Sequence, residues 1–219
     1  MSSAGLSKEN TMDVVSKKLY VRYMVCLRCK LIVRDQLKKL NIKHSISDNG
    51  AIIFLELVTE YRLNELKQIL KNYGFILLNE QESMMIDKII NIIIEVVHYT
   101  DELPKMTFDD LIDLRIGNEK ESILKIFSDV KGMSVLQFIL SQKIERAKEL
   151  LVYEDLSFSE IAEKLSYKNK ALFISQFKKL TGLHPDYFRN LKKQRDIIHA
   201  QAGKKSDTDT PDRSIRSKI

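Results

Sequence analysis

Near residue 80 the hydrophobic period of this 219-residue chain changes, and the change limits what can form on either side. From Lys18 to Asn79, short β-type runs alternate with helical ones. Leu19–Met24 reads as a strand. In Leu27–Leu40, Leu27, Ile32, Val33, Leu37 and Leu40 recur near a 3.6 period, as in an amphipathic helix. Lys43–Ser47 and Ala51–Leu57 flank Asp48-Asn49-Gly50, whose Asn-Gly pair suits a tight hairpin turn. Leu63–Tyr73 is a second helix closed by Gly74, and Phe75–Leu78 a last strand. The order β-α-β-β-α-β within about sixty residues is that of a split βαβ, ferredoxin-like unit.

From Ser83 onward the pattern is helical. Ile86, Ile89, Ile90, Ile93, Val96 and Val97 fall at helical spacing, while Asp87, Lys88 and Glu95 exclude a membrane span. Helices are expected over Phe108–Arg115 (capped by Thr107), Glu119–Val130, Ser134–Tyr153, Ser159–Leu165 and Asn169–Leu180. A final one runs from Pro185 to about Arg195. Only 7 Gly and 3 Pro in the chain agree with long helices and argue against a turn-rich all-β protein. The fold class is therefore α+β. It comprises a flexible leader (1–16), a βαββαβ domain (17–80), an all-α domain (83–196) and a disordered tail (200–219).

Charge is segregated along the chain. Residues 17–40 hold eight basic residues against Asp35, and residues 168–195 eight against Asp186. Residues 80–130 hold twelve acids and five bases. Blocks of one sign suggest faces that meet different partners, and a net charge of +6 suggests a polyanion among them. Two cysteines make no disulfide framework, and the N-terminus lacks the apolar stretch of a secretory signal. A cytoplasmic location is expected.

Ser157-Phe158-Ser159-Glu160 fits a capping box. Ile161, Ala162 and Leu165 then face a core, a turn follows, and the next helix buries Phe173, Phe177 and Leu180. Its other face carries Lys170, Ser175, Gln176, Lys178 and Lys179. A short helix, a turn and a second helix with a basic outer face make a helix-turn-helix. The stretch Lys143–Lys193 resembles the C-terminal half of an AraC/XylS-type DNA-binding domain through IAEKL (161–165), F-x-x-x-F-K-K (173–179) and T-G-x-x-P-x-x-F-R (181–189). That resemblance implies a double helix-turn-helix: a first unit at about 107–130, a linker helix at 134–153 and a second unit at 158–181. It implies base contacts from Lys170, Ala171, Ile174 and Ser175, with phosphate contacts from Lys178 and Lys179. Ser166 stands where the family usually has Gly. The first unit is acidic, with Asp129 where the family often has a basic residue, so its DNA contacts are expected to be weak and to run through Lys120 and Lys125.

Met24-Val25-Cys26-Leu27-Arg28-Cys29 falls where the first strand meets the first helix, whose N-terminus favours a thiolate. Residues 18–79 resemble a heavy-metal-associated (HMA) domain, which implies Cu(I) or another soft metal held by Cys26 and Cys29. Tyr23 and Val25 depart from that family's pattern of Gly and a small hydroxyl residue. A redox pair and a retained fold with idle cysteines are alternatives. Zinc would need a further donor.

No phosphate-binding loop, Gly-x-Ser-x-Gly or His-Glu-x-x-His run occurs, and the four His are scattered, so no enzyme is expected. The leading function is a sequence-specific DNA-binding transcriptional regulator, its N-terminal domain a metal or redox sensor or an assembly module. Its partner is double-stranded DNA, with RNA polymerase and a second copy of the chain as further candidates and no membrane. The alternatives are a metal-handling or thiol-redox carrier with a helical docking domain, and a sequence-neutral nucleoid binder.

Overall fold

The computed structural model describes residues 18–100, 108–116 and 120–206. The leader, the cap Thr107 and the tail beyond 206 lie outside the described residues. Contacts divide the chain into two compact units, one from the described parts of residues 1–92 and 108–137, the other from those of 93–107 and 138–219. The sequence pattern puts one break near residue 80. The folded chain instead groups the first expected helix-turn-helix with the sheet.

In the first unit the elements are β1 (Lys18–Arg22), α1 (Leu27–Lys39), β2 (His44–Ile46), β3 (Ala51–Phe54), α2 (Glu60–Asn72), β4 (Ile76–Leu77) and α3 (Glu80–Ile94). After these come α4 (Phe108–Ile116) and α5 (Lys120–Lys131). The sheet is antiparallel with order β2-β3-β1-β4. Strand β1 is shorter than the sequence suggests because Tyr23 turns to a positive φ of 68° and ends it. The hairpin also differs in detail. Gly50 alone takes a positive φ (84°), Gly50 N–H donates to Ser47 C=O and Ser47 N–H donates to Ala51 C=O. This three-residue loop replaces the two-residue Asn-Gly turn. Helix α2 starts before Leu63 because Thr59 caps it, its hydroxyl accepting the Arg62 N–H at 3.4 Å. Helix α3 starts before Ser83 for a similar reason. Asn79 and Glu82 exchange side-chain-to-backbone bonds of 2.8 and 3.1 Å.

Side chains alternate along β1, as strand geometry requires. Leu19 and Val21 enter a core with Val33 and Leu37 of α1, Ile52 and Phe54 of β3, and Leu66 and Leu70 of α2. Lys18, Tyr20 and Arg22 take the other face. Tyr20 is fully buried opposite Ala51. Its hydroxyl donates to Asp87 of α3 at 2.6 Å, and its backbone N–H donates to Ser83 Oγ at 3.2 Å. Burial and the bond to Asp87 raise the Tyr20 hydroxyl well above the usual tyrosine range. Both faces of β1 are thus covered, with α5 also packed against the strand.

In the second unit, residues of α6 (Val135–Tyr153), α7 (Phe158–Lys164), α8 (Lys170–Thr181) and α9 (Pro185–Ser206) share one core. Ile144, Ala147, Leu150 and Leu151 of α6 meet Phe158, Ile161 and Ala162 of α7 and Phe173 and Phe177 of α8. Phe177 lies edge-on to both Phe173 and Phe188, at centroid distances of 5.8 and 5.4 Å. Leu180 is not part of this core as the pattern implies. It is 50% exposed, one position past the buried stripe. Helix α9 continues to Ser206, past the expected end near Arg195 and into the expected tail. Among the described residues no helix is long and apolar enough to cross a membrane.

These placements separate two substitutions one turn apart. Phe177→Ala is expected to cost about 3–5 kcal/mol of unfolding free energy. Leu180→Ala is expected to stay within about 0.5 kcal/mol. Urea denaturation of the two variants checks the difference.

Candidate nucleic-acid interface

Helix α7 is set by the capping box its sequence announces. Glu160 N–H donates to Ser157 Oγ at 3.2 Å, and Ser157 N–H donates to Glu160 Oε2 at 2.7 Å, holding that carboxyl below its ordinary range. The turn to α8 places Ser166 at φ 49°, a left-handed conformation that costs a residue with a Cβ about 1 kcal/mol or more. Tyr167 leaves the turn to pack on Phe173 at 5.5 Å. Burial pushes its hydroxyl up to about 12. Asn169 then caps α8, accepting the Leu172 N–H at 2.8 Å, and Gly182 closes it at φ 75°.

Between these caps, α8 buries Phe173 and Phe177 and presents two adjacent rows along its outer side. One is Lys170, Ile174 and Lys178; the other is Ala171, Ser175 and Lys179. Lys170, Ala171, Ser175, Lys178 and Lys179 are exposed. Ile174 is half-buried and rests against the core, so it offers only an edge to a ligand. The strip is about three turns long, polar and basic, without an acidic residue. It can lie in a groove lined by phosphate and offer both ammonium groups and short side chains to its floor.

Not every base near α8 is free for that role. Arg189 donates to Leu156 C=O at 2.8 Å and stacks 4.0 Å from the Phe158 ring, and Lys192 pairs with Asp155. Lys143, with its pKa lowered by burial, donates to Leu165 C=O at 2.8 Å at the end of α7. These three cations support the scaffold, which charge counting along the sequence does not reveal.

Lys120 and Lys125 belong to α5. Lys120 opens the helix but its side chain lies outside the described residues; Lys125 is exposed. The C-terminal end of α5 is engaged within its own unit. Arg22 Nε donates to Asp129 Oδ2 at 3.1 Å with a second bond from its terminal nitrogen, and Tyr23 N–H donates to Asp129 C=O at 2.7 Å. Lys131 Nζ donates to Asn49 C=O at 3.2 Å.

The Cys-x-x-Cys turn lies beside this end of α5. Cys26 is the N-cap of α1, with Cys29 N–H directed at its sulfur at 3.4 Å and the two Sγ atoms 3.0 Å apart. The side-chain and backbone bonds from Cys29, and the nearby Arg28, lower the Cys26 pKa. Cys26 is exposed and Cys29 partly covered. Among the described residues no cluster of three or more His, Cys, Asp or Glu can hold an ion. Two thiols alone do not complete a tetrahedral zinc site, which needs further donors.

Comparison with known proteins finds a helix-turn-helix family and several regulators. Residues 115–191 match the family described as "Helix-turn-helix domain". An uncharacterized HTH-type transcriptional regulator, YtdP, of Bacillus subtilis (strain 168) is 35% identical over 101 residues, 46% of this chain and 13% of that protein. The bifunctional transcriptional activator/DNA repair enzyme AdaA of the same organism is 27% identical over 95 residues, 43% of this chain and 44% of that one. Among solved structures, an AraC-type DNA-binding domain-containing transcriptional regulator from Chromobacterium violaceum matches with a TM-score of 0.46 and 18% identity, over 53% of this chain and 98% of that one. Residues 115–191 thus carry a helix-turn-helix domain, and the matched stretches span less than half the length of these two relatives.

The left-handed Ser166 gives a direct check on the turn. Ser166→Gly is expected to stabilise the protein by roughly 0.5–1 kcal/mol, since relief of the φ penalty exceeds the entropy glycine adds to the unfolded chain. Thermal unfolding with unchanged DNA affinity is the readout.

Proposed function

We propose that this protein is a sequence-specific DNA-binding transcriptional regulator and that α8 is its recognition helix, lying in the major groove of double-stranded DNA. The observation that carries the reading is the exposed strip of α8, basic at both ends and held rigid by caps on a packed aromatic core. Matching relatives bear the names of transcriptional regulators, among them YtdP and the xylose operon regulatory protein of Escherichia coli (strain K12). Lys170 and Ser175 contact base edges, Ala171 and the exposed edge of Ile174 meet thymine methyls, and Lys178 and Lys179 contact phosphate. For residues 17–80, the strand order β2-β3-β1-β4 with α1 and α2 as crossovers supports a ferredoxin-like reading.

Selection of binding sites from a random duplex library, followed by titration of variants, tests this. Lys170→Ala is expected to cost about 1–3 kcal/mol at the selected site and to relax preference at one or two base pairs. Lys178→Ala/Lys179→Ala is expected to weaken all sequences alike and to flatten the dependence on salt. Equal loss on selected and random DNA for Lys170→Ala would remove its base-reading role. A library that yields no preferred site would leave a sequence-neutral binder.

A further inference from the structure

The segment from Tyr23 to Cys26 touches two things at once. At one end it holds α5: Tyr23 N–H donates to Asp129 C=O at 2.7 Å, and Val25 packs on Gly132, the residue that follows the helix. A Cβ added at Gly132 would stand 3.0 Å from both Cβ and Cγ1 of Val25, so any larger residue there would crowd Val25. Gly132 also sits at φ 67°, a conformation suited to glycine. At its other end the segment is Cys26, whose sulfur lies 3.0 Å from that of Cys29. One thiol is exposed, and the other packs against the core of the sheet domain.

We propose that Cys26 and Cys29 form a reversible dithiol–disulfide pair that takes a small-molecule disulfide as its oxidant, and that the segment 23–26 transmits its state to the C-terminal end of α5. The exposed Cys26, as thiolate, attacks one sulfur of the small disulfide. That S–S bond breaks and the first small thiol leaves with a proton. Cys29 then loses its proton and attacks Cys26 Sγ, expelling the second small thiol. Two protein thiols are oxidised to one disulfide, and one small disulfide is reduced to two thiols. Bond formation draws the sulfurs from 3.0 Å contact to about 2 Å and so moves Cys26, the residue next to Val25. Helix α5 lies in the stretch expected to form the first helix-turn-helix unit. The consequence for DNA rests on the function proposed above, whereas the thiol chemistry and the change in α5 do not.

The test uses the purified full-length chain, equilibrated across ratios of reduced glutathione to glutathione disulfide. Three readouts are taken: mass after maleimide quenching, hydrogen exchange of the amides at 123–132, and affinity for the selected DNA site. The expected result is an intramolecular disulfide that blocks both maleimides, altered exchange at 123–132, and an affinity change of roughly fivefold or more. The Cys26→Ser/Cys29→Ser variant should show one exchange pattern and one affinity at every ratio. Two free thiols in fully oxidised glutathione would overturn the pair. A disulfide with unchanged exchange at 123–132 would overturn the transmission. Changed exchange in a protein that selects no DNA site would uphold this proposal while refuting the DNA reading.

Discussion

Asp129 is held twice by the end of one strand. Arg22 takes its carboxylate through two nitrogens, and the next residue, Tyr23, takes its backbone carbonyl. Both charged side chains are about four-fifths covered, at 21% exposure each, so removing either partner would strand the other with most of its hydration gone. The carbonyl matters as much as the charge. It belongs to the last turn of a helix, where C=O groups have no partner of their own, and the strand end supplies one. This double attachment explains why residues 108–137 group with the sheet. It also explains why β1 can be buried on both faces, with Tyr20 paired to Asp87 and Ser83 on the same side.

The second helix-turn-helix owes nothing to such a strut. Its order comes from four aromatic side chains, Phe158, Phe173, Phe177 and Phe188, and from cations that end on backbone carbonyls. Lys143 and Arg189 satisfy Leu165 and Leu156 C=O, one at each end of α7. Supported from beneath in this way, α8 needs no contact along its outer strip to stay in place. An exposed polar strip on a rigid element is what base reading requires, because geometry must be fixed before binding if selectivity is to follow from it.

Much of this was legible in the sequence where a local rule suffices. The Ser157–Glu160 box, the Gly182 terminus and the Phe173/Phe177 stripe depend on residues within one or two turns of each other, and all appear as the pattern implies. Element boundaries shifted where a polar cap lay just outside the hydrophobic period, as at Thr59 and Asn79. Leu180 misleads because periodicity says which residues can share a face but not where the neighbouring helix ends. The partners of Arg22, Lys18 and Tyr20 are 63 to 107 residues away, and no spacing rule reaches that far. Neither Arg22 nor Asp129 stands out in the sequence, because each lies in a block of its own sign.

Helices α5 and α8 share one skeleton. Ile123, Phe127 and Gly132 repeat the spacing of Phe173, Phe177 and Gly182, and both glycines are left-handed, at 67° and 75°. In that register Ser128 and Asp129 occupy the places of Lys178 and Lys179. A lysine pair at the end of a recognition helix binds phosphate but has little to offer a strand that carries Arg22. An aspartate does the reverse, since it repels phosphate and binds the arginine. Two substitutions on a common frame therefore divide the labour. One helix leaves its basic end exposed; the other gives its end to the sheet and to the segment that leads into Cys26. Asp129 is thus the complement of the positive charge that Arg22 places at the end of β1, and changing one without the other would leave only the Tyr23 backbone bond to hold residue 129 there.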